Sequence, residues 1–182
     1  MPRGYRGIEE RMEKVERSAE IINSQLLFAK DYQEMGTAVP QWQNLGQLIS
    51  QLPDLKEISV LERDKQLDRL EVYADPMLGK VFHNILEDSL KYADRPVKVK
   101  IGCREKDRSL VLFYEDHGPG IPLQDKGRIF EMGFGKGTGL GLHLSLEILS
   151  ITDIRISETG EQGKGVRFEM EVPEGKFRFV GA

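Results

Sequence analysis

The chain has 182 residues, which is enough for one full domain with its own hydrophobic core and an additional segment. Its 26 basic and 30 acidic side chains give a formal charge of -4 and a pI near 5.5, a balance that argues against nucleic acid or an anionic membrane surface as a partner. The single cysteine excludes an intramolecular disulfide, and no stretch reaches the roughly 18 apolar residues of a membrane span, so we expect a cytoplasmic protein without a membrane segment.

The first predicted element is a long helix over residues 7–35. An isolated helix is marginal in water, so its apolar stripe must be covered by a partner helix, by a second copy of the chain or by the following domain. The regular heptads favour a homodimer through residues 8–35 over simple docking. The stripe, at alternating spacings of four and three, consists of Ile8, Met12, Val15, Ala19, Ile22, Leu26 and Ala29.

A domain boundary is predicted at residues 36–40, where Gly-Thr-Ala-Val-Pro ends the long helix. It divides the chain into a helical segment of residues 1–39 and a domain of residues 40–182. Residues 40–50 are interpreted as a short amphipathic connection. The next predicted elements are strands over residues 57–62 and 70–74.

A second helix is predicted over residues 76–92. An Asp-Pro pair marks its start, with the Asp75 carboxylate at the N-cap. Asn84, Asp88 and Lys91 lie at i, i+4 and i+7, so their side chains share one face of this helix. On an arbitrary helix such a stripe would be a solvated surface, and the neighbouring motifs decide its interpretation.

A glycine-rich stretch follows two strands that alternate like an antiparallel pair, over residues 97–104 and 109–115. The second strand ends directly in Asp116, and glycines are dense from Gly118 to Gly141. Glycine loses more backbone conformational entropy on folding than any other residue. A high density of glycine in a folded domain therefore predicts turns with positive φ or a close approach of the backbone to a ligand. A glycine-rich loop before a helix offers N–H groups and the positive end of the helix dipole to a phosphate.

The last predicted elements are a helix over residues 138–150 and strands over residues 154–158 and 165–172. Paired strands mixed with separate long helices predict an α+β fold. We expect a two-layer α/β sandwich, in which one largely antiparallel sheet is covered on one face by helices and the long helix precedes it.

Four motifs occur in order: FHNILEDSLKY at residues 82–92, DHGPGI at 116–121, the segment 129–134 and GKGTGLGL at 135–142. They resemble the N box, the first glycine box, the F box and the second glycine box of the ATP-binding catalytic domain of histidine kinases, within the superfamily of type II topoisomerases, mismatch-repair ATPases and ninety-kilodalton chaperones. The resemblance covers residues 51 to about 173 and implies a Bergerat-type ATP-binding fold, with the long helix as the second helix of a dimerisation hairpin whose first helix is absent.

The resemblance implies that this region binds ATP and Mg²⁺. Asp116 would accept a hydrogen bond from the adenine amine, the glycines of the second box would hold the phosphates, and residues 122–136 would form a lid. Asn84 and Lys91 would take part in catalysis, and Asp88 and Asn84 would hold the metal. The implied nucleotide-binding residues are Asn84, Asp88, Lys91, Tyr92, Asp116, Gly118, Gly120, Ile121, Phe130, Lys136, Gly137, Thr138, Gly139, Leu140, Gly141 and Leu142.

Three positions depart from the family pattern. Asp88 stands where the family carries Mg²⁺ on an Asn; a carboxylate also suits Mg²⁺, but it adds negative charge beside a triphosphate. Asn84 stands where hydrolytic members place a Glu general base, which favours a kinase. Val166 stands where a Thr near the adenine is usual, so we expect one water-mediated contact to be missing.

The phosphoacceptor is expected on a helix outside this chain, because none of His83, His117 and His143 is followed by an acidic residue. The predicted function is the ATP-binding catalytic part of a two-component sensor histidine kinase, with a response regulator as partner. Two alternatives remain: a non-catalytic nucleotide-binding or dimerisation module, and a serine kinase of the anti-sigma type, which would lack the heptad helix.

Overall fold

Residues 3–53, 57–93, 97–135 and 138–181 are described by a computed structural model of the chain. A short 3₁₀ helix precedes the third strand, at Lys65–Arg69. The helices are α1 (Arg3–Glu34), α2 (Leu45–Ser50), α3 (Leu78–Tyr92) and α4 (Gly141–Ser150). The strands are β1 (Gln41–Asn44), β2 (Val60–Arg63), β3 (Leu70–Ala74), β4 (Lys98–Lys106), β5 (Ser109–Asp116), β6 (Arg155–Glu158), β7 (Arg167–Val172) and β8 (Phe177–Phe179).

The strands form two sheets. The larger has the order β2-β4-β5-β7-β6, and all its pairs are antiparallel except β2 with β4. The smaller has the antiparallel order β1-β3-β8 and was not predicted. Two of its strands, of four and three residues, are too short to display an alternating pattern, and β1 lies in the segment interpreted as a connection.

The core lies between the larger sheet and the helices α3 and α4, which confirms the predicted two-layer sandwich. Ile101 of β4, Tyr114 of β5 and Phe168 of β7 are neighbours across the sheet and are buried. Their sequence neighbours point to the other face, as the period of two requires. The apolar residues of α3 are buried against this layer, so Asp116 at the end of β5 is brought to the polar face of α3.

Several element boundaries differ from the predictions. Helix α3 begins at Leu78 with Met77 as N-cap, so the prediction that Asp75 caps the helix was wrong. One Asp75 carboxylate oxygen accepts the Met77 N–H at 2.8 Å and the other accepts the Gly36 N–H at 3.1 Å, which ties the end of α1 to the start of α3. Other starts also lie later than predicted: β2 begins at Val60 rather than 57, β7 at Arg167 rather than 165 and α4 at Gly141 rather than 138. The remaining bounds agree with the predictions or differ by one to four residues.

Helix α1 ends as predicted, with Gly36 at a φ of +70° just beyond it. Phe28 and Met35 are partly buried against the core of the following domain. The apolar stripe is not covered by that domain: Ile8 is 60% exposed and Leu26 is 65% exposed. None of the helices in the described residues combines the length and the hydrophobicity that a membrane span requires.

Candidate functional site

A cleft of about 1130 Å³ lies between α3, the start of α4, the loop after β5 and the C-terminal third of α1. It brings together segments that are far apart in the sequence. Lys136 and Gly137 fall outside the described residues. The predicted residues that line the cleft are Asn84, Asp88, Lys91, Tyr92, Asp116, Gly120, Ile121, Thr138, Gly139, Leu140, Gly141 and Leu142.

Two predicted residues support the cleft from behind and do not line it. The Gly118 N–H donates to Asp116 at 3.0 Å, and a Cβ at Gly118 would lie 2.9 Å from the Cα of Ala93, so glycine is needed for the approach to the end of α3. Phe130 packs edge-on against Phe168, with 6.3 Å between ring centroids. The sequence motif therefore located both residues near the site, but neither faces the cleft.

Asp116 is the most strongly positioned side chain of the cleft, and it is only 5% exposed. One carboxylate oxygen, Oδ1, accepts the backbone N–H groups of Gly118 at 3.0 Å and Val166 at 2.9 Å. The other, Oδ2, accepts the hydroxyl of Ser89 at 2.6 Å, and Ser89 in turn accepts the hydroxyl of Tyr114 at 3.0 Å. Charge-assisted hydrogen bonds of this kind are strong and fix the plane of the carboxylate.

This chain of hydrogen bonds has a definite direction. Burial raises the pKa of the Tyr114 phenol above its ordinary value, although the hydrogen bond to Ser89 lowers it, so the phenol keeps its proton and donates it. Ser89 receives that donation and must give its own proton to Asp116. Asp116 therefore presents acceptor capacity to the cleft, which suits an amine and repels a carbonyl oxygen.

Sequence reasoning missed Ser89 and Tyr114. A signal existed, because Ser89 follows Asp88 on the helix and Tyr114 lies two residues before Asp116, on the same face of β5. Neither residue type alone indicates a polar partner across the core. The contact depends on how α3 packs on the sheet, which the sequence pattern does not specify.

We predict that Tyr114→Phe lowers the free energy of unfolding by about 1 kcal/mol, since it removes one buried neutral hydrogen bond and leaves the packing of the ring intact. Urea denaturation of the wild type and the variant measures this difference. Tyr92→Phe is the matched control, because Tyr92 lies at the rim of the cleft and is 45% exposed. An equal effect of the two substitutions would contradict the assigned role of Tyr114.

Asp88 is part of the lining of the cleft. Among the described residues, no donor forms a hydrogen bond or ion pair with its carboxylate. Burial raises the pKa of the Asp88 carboxyl from 3.8 to about 6, although the nearby Lys91 ammonium lowers it. A half-buried carboxylate with no partner among the described residues fits a divalent cation, and Mg²⁺ is commonly held by one or two carboxylates together with substrate phosphates.

Asn84 connects α3 to the start of α4. Its side-chain nitrogen donates to the Gly141 carbonyl at 2.9 Å and to the Ser145 hydroxyl at 3.2 Å, and the residue is buried. Helix α4 has no side-chain cap at its N-terminus, which leaves its first N–H groups available to another acceptor, and Gly139 and Leu140 at this end of the helix line the cleft. This end of the cleft has the character of an anion site.

The side chain of Lys91 is already paired within its own helix. Its ammonium lies 2.6 Å from the Glu87 carboxylate, and both side chains are about half exposed. A phosphate at Lys91 would therefore compete with Glu87. The catalytic roles predicted for Lys91 and Asn84 and the metal role predicted for Asn84 stay predictions.

The base of the predicted lid is anchored by an ion pair that the sequence did not indicate. Lys126 lies 2.7 Å from Glu158, whose side chain is completely buried at the end of β6. Farther along the lid, the Arg128 guanidinium lies over the Phe134 ring, 4.6 Å from its centroid. The segment up to Lys126 is thus fastened to the sheet, and Phe134 lines the cleft as the lid returns to α4.

Residues 74–176 match the family model of histidine kinase-, DNA gyrase B- and HSP90-like ATPases. The chain belongs to this family. Membership confirms the resemblance inferred from the four motifs, and the matched region contains all the described residues of the predicted nucleotide site.

Curated relatives in this ATPase family are sensor kinases. The alginate biosynthesis sensor protein KinB of Pseudomonas aeruginosa is 35% identical over 113 residues, covering 59% of this chain and 18% of KinB. The adaptive-response sensory kinase SasA of Prochlorococcus marinus is 29% identical over 188 residues, covering 91% of this chain and 48% of SasA. The chain thus spans less than half the length of these relatives.

Two of the solved structures that match this chain have the same fold. The nucleotide-free catalytic domain of the histidine kinase ThkA has a TM-score of 0.64 at 25% identity, covering 75% of this chain and 99% of that domain. Full-length ShkA in complex with AMPPNP has a TM-score of 0.67 at 19% identity, covering 100% of this chain and 40% of ShkA. These neighbours confirm the predicted α/β sandwich with a long helix before it.

Proposed function

We propose that this chain is the ATP-binding catalytic part of a two-component sensor histidine kinase, which transfers the γ-phosphoryl group of ATP to a histidine outside this chain. The observation that carries the proposal is that three features meet in one cleft: the oriented acceptor at Asp116, the Asp88 carboxylate, which has no partner among the described residues, and the start of α4, which has no side-chain cap. Membership in an ATPase family and sensor-kinase relatives support it.

Each part of the cleft has a separate role in this proposal. Asp116 accepts a hydrogen bond from the adenine amine, while Ile121 contacts the base. The first N–H groups of α4 hold the phosphates, together with Lys91 once it leaves Glu87. Asp88 would be the residue of this chain that holds Mg²⁺ when the nucleotide is bound. A cation held there would supply charge neutralisation at the phosphates, and the residues of the chain would contribute positioning and electrostatic stabilisation without a covalent intermediate.

The acceptor histidine is assigned to a helix outside this chain. His83 lies on α3 beside the cleft and His143 lies 3.1 Å from the Phe130 carbonyl oxygen, so both belong to the framework of the site. The proposal divides the chain at residues 39 and 40, as the sequence predicts. It also includes a response regulator as the next phosphoryl acceptor and a cytoplasmic location, where ATP and such a partner would be met.

Phosphoryl transfer in trans tests this proposal directly. The chain is incubated with γ-labelled ATP, Mg²⁺ and the histidine-bearing hairpin of a relative such as SasA, and the label on the hairpin is analysed for acid lability and base stability. Acid-labile label that depends on Asp116 is expected. Tight ATP binding without transfer would instead support a non-catalytic nucleotide-binding module, the reading that the extra charge of Asp88 favours.

The exposed stripe of α1 predicts a homodimer. Ile22 and Leu26 are 57% and 65% exposed, and helices with uncovered heptad seams associate in water. Replacing both with Glu is expected to shift the mass measured by light scattering from that of a dimer to the 20.7 kDa of one chain. Gln25→Glu, on the same turn but outside the stripe, is the control. A double variant that keeps the dimer mass would contradict this prediction.

A further inference from the structure

We infer that Lys80 is a further phosphate-binding residue of the cleft, and that Asp31 of α1 masks it in the conformation described here. Docking of α1 and binding of the anionic end of the nucleotide therefore compete for one ammonium group. This inference rests on the proposed function, because it assumes that a nucleoside triphosphate occupies the cleft with its base at Asp116.

Lys80 lies on α3 beyond the residues that contact the base-binding and phosphate-binding ends of the cleft. Ser89 contacts Asp116 at the base-binding end of the helix, and Asn84 contacts Gly141 at the phosphate-binding end. Lys80 lies one turn beyond Asn84, about 6 Å farther along the helix axis, on the same face and in the same cleft. It is therefore placed where the terminal phosphate of an extended triphosphate would lie.

The partner of Lys80 comes from α1. The Lys80 ammonium lies 3.1 Å from the Asp31 carboxylate, whose side chain is only 18% exposed. Leu27 and Phe28, on the preceding turn of α1, line the same cleft, and the Gly36 N–H bond to Asp75 fixes the end of α1 near the start of α3. The ion pair is thus held by packing on both sides.

Acidic side chains outnumber lysines in the described lining of the cleft, so the pairing of each lysine affects how the cleft binds an anion. Among the described residues, its lysines are Lys80 and Lys91, and each is paired with a carboxylate. A triphosphate that enters therefore meets an excess of negative charge unless a pair opens, and Coulomb repulsion in a partly buried cleft is weakly screened. The acidic lining residues are Asp31, Glu57, Glu87, Asp88, Asp116 and Asp125.

Competition for Lys80 makes the coupling reciprocal. If the phosphate end of the nucleotide displaces Asp31, nucleotide binding weakens the docking of α1 by the same factor by which docked α1 weakens nucleotide binding. The position of α1 and the occupancy of the cleft would then report on each other through a single ion pair.

Titration of the full chain with ATP, ADP and adenosine in the presence of Mg²⁺ tests the inference. Asp31→Asn should raise the affinity for ATP about tenfold and that for ADP less, and Lys80→Met should lower the affinity for ATP about tenfold. Neither variant should change the affinity for adenosine, because adenosine lacks the anionic end. Glu34→Gln is the matched control, since it removes one carboxylate from the same end of α1, where Glu34 pairs with Lys30.

The affinities for ATP and for adenosine test the role of Lys80 and Asp31 separately from the proposed function. An unchanged or lower ATP affinity in Asp31→Asn, or an equal change for adenosine, would overturn the masking role. A Lys80→Met variant that melts like the wild type and binds ATP equally well would overturn the phosphate contact. Failure of every variant to bind both ATP and adenosine would overturn the proposed function and this inference together.

Discussion

Asp116→Asn is expected to lower the affinity of the chain for ATP at least about 100-fold. The amide oxygen must take the place of Oδ1, because that position accepts the backbone N–H groups of Gly118 and Val166. The amide nitrogen would then stand at the position of Oδ2, where it would face the Ser89 hydroxyl and, under the proposed function, the adenine amine. The amide N–H groups would there point at other hydrogen-bond donors. Because the site is buried, no solvent molecule replaces the lost acceptor.

Calorimetric titration with ATP measures this loss, and urea denaturation checks that the variant is folded. Asp125→Asn is the matched control, since Asp125 lines the same cleft and the substitution removes the same charge. A similar change in both variants would show that Asp116 acts only through the overall charge of the cleft. That result would contradict the role of Asp116 in recognising the base.

Asp88→Asn is expected to stabilise the chain above pH 6 by up to about 3 kcal/mol. Burial raises the pKa of this carboxyl from 3.8 to about 6 in the folded chain, despite the opposing effect of Lys91. The folded state therefore binds more protons than the unfolded state between these values, and the stability of the wild type falls as pH rises through that window. An amide at residue 88 cannot ionise and removes this loss.

The difference in unfolding free energy between Asp88→Asn and the wild type should thus be small near pH 4 and reach its full size by pH 8. Urea denaturation at both pH values measures the difference, and effects of other carboxyl groups cancel in the comparison. Asp125→Asn again serves as the control, since it makes the same substitution in the lining of the same cleft. A pH-independent difference would show that Asp88 is not a destabilising buried charge when Mg²⁺ is absent.

The sequence predicted the parts of the fold that follow from periodicity. The alternation of Leu70, Val72 and Ala74 gave β3, and all three residues are buried. The heptad spacing gave α1 and its stripe. The sequence did not predict the hydrogen bond from the Gly36 N–H to Asp75, because the two residues are 39 positions apart and a contact of that range has no local signature.

The candidate site was predicted from motifs rather than from periodicity. The prediction therefore includes residues within the motifs and omits their partners elsewhere in the fold. Motif matching placed Asp88 and Asp116 in one cleft, as the structure shows. It did not find Ser89, Tyr114 or Lys80, since their roles depend on which elements pack against α3. Side chains whose partners lie on another element become visible only when the packing is known.

One calorimetric titration tests the central claim most directly: the wild-type chain with ATP and with GTP, each in the presence of Mg²⁺. ATP is expected to bind with one site per chain, and GTP at least about 100-fold more weakly, because the guanine carbonyl would meet the Asp116 carboxylate in place of an amine. Equal affinities for the two nucleotides, or no binding of ATP, would contradict the assignment of this cleft as an adenine nucleotide site.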